Sequence, residues 1–155
     1  MSWYVRSESW SFILRSFLPR LTLCSLAWEI VQLPLYTLWA EPRLGAIAFA
    51  VAHCTVGDAM IGTAALVIAL TLSGAGERAR WRRTRIGMLM VFLAVAYTVL
   101  SERVNLAQGN WAYSAWMPVL PWVEVGLAPV MQWIIVPLVT WWWANRQRFH
   151  AHRLN

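Results

Sequence analysis

Three acids stand inside long apolar stretches of this 155-residue chain: Glu29, Asp58 and Glu102. An ionisable group in such a setting costs about 2.5–3.5 kcal/mol on insertion scales, and it persists when it faces a bundle interior, a partner or a water-filled cavity. His53, Gln32, Asn105 and Gln132 share the same stretches. A buried carboxylic acid can give a proton to an apolar substrate, and a second acid or a histidine can take one away. Glu29 and Asp58 are the expected acid–base pair, with Glu102 and His53 assisting. Gln32, Asn105 and Gln132 are expected to position a substrate, under cover from Trp111 and Tyr113.

Spacing places these groups on shared faces. Ser25, Glu29, Gln32 and Tyr36 are four, three and four residues apart, which is one face of a helix. Ala50, Cys54, Asp58 and Gly62 form a row of small residues that lets helix backbones approach closely. His53 lies about 140° from Asp58 on an ideal wheel of 3.6 residues per turn, so it borders that row without stacking on it. Ala94, Thr98, Glu102 and Asn105 make a third stripe, and Glu124, Ala128 and Gln132 a fourth. Four helices with one polar stripe each predict a bundle with a polar interior. Glu29, Asp58 and Gln132 then fall near its middle, and His53, Glu102, Asn105 and Glu124 toward the outer end, as a funnel expected to open to the non-cytoplasmic side. The segment from Asn105 to Met117 is expected to cap it. The competing reading makes the acids assembly contacts, although interhelical hydrogen bonds in membranes average only about 0.6 kcal/mol.

The elements that must carry these stripes are four apolar stretches, at about 21–39, 44–72, 86–104 and 123–144, each near the ~20 residues that cross a bilayer. Pro34, Pro129 and Pro137 fall inside the first and fourth, where they are expected to kink the helices. Residues 2–19 mix Trp3, Trp10 and Phe12 with Arg6, Glu8 and Arg15, as in a helix lying in the interface. Charge interrupts that segment, so a cleaved signal peptide is not expected. Composition agrees: 59% of residues are hydrophobic and 13% charged, against roughly a quarter charged in soluble domains. Mean hydropathy is +0.50. The expected fold is all-α, a single-domain integral membrane four-helix bundle with an N-terminal interfacial helix.

All thirteen basic residues are arginine, and the net charge is +6. The absence of lysine fits a GC-rich genome and hence a bacterial inner membrane. Arg6, Arg15 and Arg20, then Arg78, Arg80, Arg82, Arg83 and Arg85, then Arg146, Arg148 and Arg153 alternate with segments holding Arg43 and Arg103 alone. Glu41 and Glu102 are expected to neutralise those two. By the positive-inside rule both termini are cytoplasmic. Arginines placed this way are explained by orientation and anionic headgroups, so nucleic acid is not an expected partner. Trp39, Trp111, Trp116 and Trp122 are assigned to the outer interface, and Trp141, Trp142 and Trp143 to the inner one. Cys24 and Cys54 read as small buried hydrophobes.

Glu29, His53, Asp58 and Glu102 are compatible with a metal in composition, but the Glu-x-x-His signature of di-metal carboxylate bundles is absent. His150 and His152 sit in the arginine-rich tail and offer His53 no partner for haem. Metal and cofactor are left unassigned. The strings from Leu26 to Tyr36, His53 to Asp58 and Ser101 to Asn105, with Gly109 to Tyr113 and on to Gln132-Trp133, resemble small multi-span bacterial inner-membrane proteins. That resemblance implies the membrane fold and brings no activity with it. The chain is also similar to sterol-isomerase-like membrane bundles in placing His and acids under aromatic cover, though the spacings differ and no residue roles transfer. Three functions remain open. One is an enzyme acting on a lipid or isoprenoid. The second is a small transporter or ion-handling protein, and the third an accessory subunit or homo-oligomer whose stripes face partner helices.

Overall fold

Proline and glycine punctuate the chain and set where its helices widen, stop and turn. The structure, a computed structural model, describes residues 2–146 and is all-α apart from one short hairpin. Arg148, His150, His152 and Arg153 lie outside the described residues. Helix α1 (Ser7–Phe12) runs through a wide π-turn at Ile13–Phe17 into α2 (Leu18–Gln32). Pro19 accounts for the widening, because in a regular helix its ring clashes with the carbonyl four residues earlier, that of Arg15. The segment expected to be a separate interfacial helix is therefore largely continuous with α2. Its apolar side is buried in the core: Phe12 meets Trp81 and Trp141 edge-on, with ring centroids 5.7 and 5.8 Å apart. Phe12, Ile13 and Phe17 pack inside the protein, while Tyr4, Trp10 and Leu14 stay exposed.

Helix α2 ends at Gln32 rather than near residue 39. Pro34 has no N–H for the ladder and crowds the carbonyl of Ile30, so it stops the helix instead of kinking it. Two 3-10 turns, Leu33–Leu35 and Thr37–Ala40, follow. Next come α3 (Leu44–Leu72) and α4 (Arg83–Gln108). Both close on a left-handed glycine, Gly74 and Gly109. The N–H of Ala75 then donates to the Leu70 carbonyl, and that of Asn110 to the Asn105 carbonyl, each at 3.0 Å. These bonds satisfy carbonyls that a helix end leaves orphaned. A hairpin pairs β1 (Val119–Leu120) with β2 (Val125–Gly126) before α5 (Leu127–Arg146). By length and composition α3, α4 and α5 are each apolar enough to cross a membrane. At 15 residues α2 falls short of the ~20 required.

The four long helices form a closed ring: α2 packs on α3 and α5, α3 on α4, and α4 on α5. Gly62 sets the closest approach, since a Cβ there would lie 2.6 Å from Leu21 Cδ2. The two ends of the ring differ. At the end carrying most of the arginines, Phe17, Leu66, Leu70, Met90, Val136 and Trp141 fill the interior. The N-terminal segment is tied over that end, with the Trp3 N–H on the Ala75 carbonyl at 3.0 Å and the Arg78 N–H on Glu8 Oε1 at 3.1 Å. At the opposite end no residue of α3 from Leu44 through Cys54 is buried.

That open end carries a strap. The Thr37 N–H donates to the Ala112 carbonyl and the Ser114 N–H to the Leu35 carbonyl, both at 2.9 Å. Residues 109–117 are thus pinned to the turns after α2. The hairpin changes the expected fourth stripe, because α5 begins at Leu127 and Glu124 falls in the turn before it. Glu124 has a φ of 55° and is exposed. Its carboxylate lies 3.6 Å from Arg103, which therefore pairs with Glu124 and not with its neighbour Glu102. Pro129 sits in the first turn of α5, where a missing N–H costs nothing, and only Pro137 is interior.

Candidate functional site

Four side chains from three helices meet in the middle of the ring. Glu29 and Gln32 project from α2 three residues apart, so they sit side by side on its inner face. Gln32 Nε2 donates to Glu29 Oε1 at 2.9 Å and to Gln132 Oε1 at 3.2 Å. Gln132 Nε2, from α5, donates to Glu29 Oε1 at 3.2 Å and to Asp58 Oδ2, from α3, at 2.6 Å. Trp28 Nε1 completes the set by donating to Gln32 Oε1 at 3.1 Å. Each glutamine uses both amide hydrogens and its carbonyl oxygen. The Glu29 and Asp58 carboxyls share one donor nitrogen and also interact directly with each other. Asp58, Gln32 and Gln132 are buried, whereas Glu29 is half-buried. Ser25 Oγ is buried beside Asp58 without closing a hydrogen bond of standard geometry.

A second group lies toward the strap. Glu102, buried on α4, accepts a short hydrogen bond from the Tyr113 hydroxyl. That hydroxyl in turn accepts the Gly126 N–H at 2.8 Å. Tyr36 packs edge-on against Tyr113, with centroids 5.5 Å apart. Tyr36 and Trp111 also face the Glu102 carboxyl, and Trp111 Nε1 is buried without a hydrogen bond of standard geometry. Cys54 sits between the two groups, within electrostatic range of Glu29, Asp58 and Glu102. Among groups outside the apolar helices, Tyr113 has its hydroxyl pushed above the ordinary tyrosine value, first by burial and then by its bond to Glu102. Glu41, half-buried, is held below the usual carboxylate range by hydrogen bonds from Arg43.

Of the residues singled out by spacing, Glu29, Gln32, Asp58 and Gln132 come together, and Glu102, Trp111 and Tyr113 form the adjoining group. His53 does not join them. It is exposed on the outer face of α3 and stacks on Phe49 at 5.8 Å, which follows from its offset from Asp58 around the helix. Asn105 is taken up by the end of α4: its Nδ2 donates to the Ser101 carbonyl at 2.8 Å and its Oδ1 accepts from Asn110 at 2.7 Å. Trp28, Tyr36 and Cys54 were not counted as site residues on spacing. Tyr36 shares the stripe of Glu29, and Trp28 stands four residues before Gln32, so helical periodicity carried both signals. Trp39, Trp116 and Trp122 are exposed around the strap end, while Trp141 turns inward and leaves Trp142 and Trp143 outside.

Among the described residues no three His, Cys, Asp or Glu side chains gather as a metal-binding group. The fold and site define an all-α protein with three helices of membrane-crossing length and a carboxyl–amide cluster between its helices. Comparison with protein-family models, curated proteins and solved structures gives no match to this chain.

Proposed function

We propose that this chain is a membrane-embedded acid–base enzyme that moves protons on a lipid or isoprenoid, with Glu29 and Asp58 as the reacting pair. The observation that carries the reading is the pair itself, two carboxyls held against each other by the uncharged amide of Gln132. Like charges this close, out of water, disfavour double ionisation, so such a pair holds one proton between them. One member is then an acid and the other a base. Protonation of one carbon of a substrate double bond and removal of a proton from an adjacent carbon shifts the double bond and leaves composition unchanged. Access is from the strap end, where Glu29 and Cys54 are half-buried and α3 is not covered.

Two observations favour this over the alternatives. A transporter needs polar steps continuing to the far end. Among the described residues the buried polar groups there include Ser9, Thr140, Asn145 and the hydroxyls of Thr63 and Ser73, and no side-chain hydrogen bond joins any two of them. An accessory subunit would turn its acids outward, whereas Glu29, Asp58 and Glu102 all bond within the ring. The arginine distribution supports a bacterial inner membrane with the arginine end cytoplasmic. The exposed Trp39, Trp116 and Trp122 suit the opposite headgroup region.

The test is solvent deuterium. Purified protein in bilayers is incubated in D2O with a membrane lipid extract, and lipids are scored by mass spectrometry for deuterium at carbon. Wild type and the outward-facing His53→Ala are expected to label a lipid species, and Glu29→Gln and Asp58→Asn to lose the label. Equal labelling by wild type and Glu29→Gln, or none at all with wild type, defeats the proposal.

A further inference from the structure

We propose that Glu102 and Tyr113, with Tyr36 beside them, are the route by which the Glu29–Asp58 pair exchanges its proton with water at the strap end. The inference rests on the acid–base reading and adds a role for groups outside the reacting pair. The donors bonded to the carboxyl pair are glutamine N–H groups, which donate without passing a proton on, and the Ser25 hydroxyl beside Asp58 is itself buried and leads no further. Hydroxyls and carboxyls do pass protons on. In the adjoining space such groups are Tyr36, Glu102, Tyr113 and the Cys54 thiol. Tyr113 is both acceptor and donor, taking the Gly126 N–H at 2.8 Å and giving its own proton to Glu102. It is half-buried, so it spans from the buried Glu102 carboxyl to the surface of the strap. Tyr36 faces Glu102 and lies within electrostatic range of both Glu29 and Tyr113.

The other direction is closed by packing. Beyond Gln132 toward the arginine end come Trp133, Val136 and the ring of Phe17 against Trp141, with centroids 6.4 Å apart. Thr63 and Thr140 offer isolated hydroxyls there, each buried and without a hydrogen bond. The pinned strap also gives the route a fixed geometry, since Tyr113 is held between the Ala112 and Ser114 contacts to residues 35–37.

Infrared spectroscopy tests the route without a substrate. The carboxylic-acid C=O stretch of the full chain in bilayers is followed after transfer to D2O, with amide exchange recorded alongside. Glu29→Gln or Asp58→Asn identifies the band by removing it. Tyr113→Phe and Glu102→Gln are expected to slow its downshift by about tenfold or more, and Thr140→Val to leave it unchanged. The direction guards against a damaged fold, because a loosened strap admits water and speeds exchange. An unchanged or faster downshift in both Tyr113→Phe and Glu102→Gln overturns the route, as does slowing by Thr140→Val alone. A wild-type spectrum with no carboxylic-acid band removed by either pair variant overturns the acid–base reading as well, which separates the two failures.

Discussion

Replacing Gln132 by leucine removes the side chain that hydrogen-bonds both carboxyls while keeping most of its volume. Three hydrogen bonds go: to Glu29 at 3.2 Å, to Asp58 at 2.6 Å and from Gln32 at 3.2 Å. Glu29 Oε1 keeps its bond from Gln32 at 2.9 Å, but Asp58 Oδ2 loses its donor in a buried position. Hydrogen bonds between membrane helices average about 0.6 kcal/mol and reach about 1.7, and stranding a buried polar group costs about 1–3 kcal/mol. The expected destabilisation is about 2–4 kcal/mol. Reversible unfolding in mixed micelles measures it, and a double-mutant cycle with Asp58→Val isolates the pair. Making both positions apolar removes the stranded carboxyl, so the double variant is expected to lose about 1–3 kcal/mol less than the sum of the singles. A cycle additive within about 0.5 kcal/mol refutes the reasoning.

Gly62→Ala forces a methyl to within 2.6 Å of Leu21 Cδ2 and 3.3 Å of Trp133, and overpacking of this kind costs about 1–3 kcal/mol. An unfolding free energy equal to wild type would show that α2 and α3 are not held at that distance. Trp141→Ala empties the contact with Phe12, Phe17 and Trp81 and is expected to cost about 3–5 kcal/mol. The exposed Trp122→Ala is expected to stay within about 0.5 kcal/mol in the same assay. Similar losses for the two would contradict a core confined to the arginine end. Tyr113, whose folded-state value is raised, contributes stability that is fully present below the unfolded tyrosine value near 10 and is lost as pH rises beyond it. Alkaline unfolding is therefore expected to be less steep in Tyr113→Phe, and an unaltered slope would show that its hydroxyl is not buried against Glu102.

The stripes were legible because helical periodicity fixes which residues share a face, and Glu29, Gln32, Asp58 and Gln132 needed only that. What periodicity does not supply is where a helix ends. Glu124 was placed on a helical face with Ala128 and Gln132, yet a hairpin with a positive-φ residue precedes α5 and carries Glu124 to the surface. Spacing puts Asn105 on the stripe of Glu102 as a substrate-positioning group, but it lies at the last turn of α4, where orphaned groups recruit a short amide. The end of α2 at Gln32 turned on one proline, which the apolar run on either side concealed. Residues 2–19 carry a different ambiguity. Amphipathic spacing looks alike whether the apolar side meets lipid or Trp81 and Trp141, and only tertiary contacts tell the two apart.

The choice of amides around the carboxyls bears on what the site can do. An arginine in place of Gln132 would also donate to two carboxyls, but its fixed charge would favour ionisation of both and leave no acid. Glutamine supplies two donors in the same fork without charge, so it holds the geometry and leaves the proton count of the pair open. Gln32 extends this, bracing Gln132 through its own amide and braced in turn by Trp28. Among the described residues no arginine bonds to the pair. Arg20, Arg78 and Arg146 sit over the rings of Trp143, Phe12 and Trp142, and Arg103 pairs with Glu124 on the surface. Positive charge among these residues is thus taken up by aromatic rings and a surface carboxylate, while the buried carboxyls are held by neutral donors. A carboxyl pair that is to act as acid and base together requires that separation.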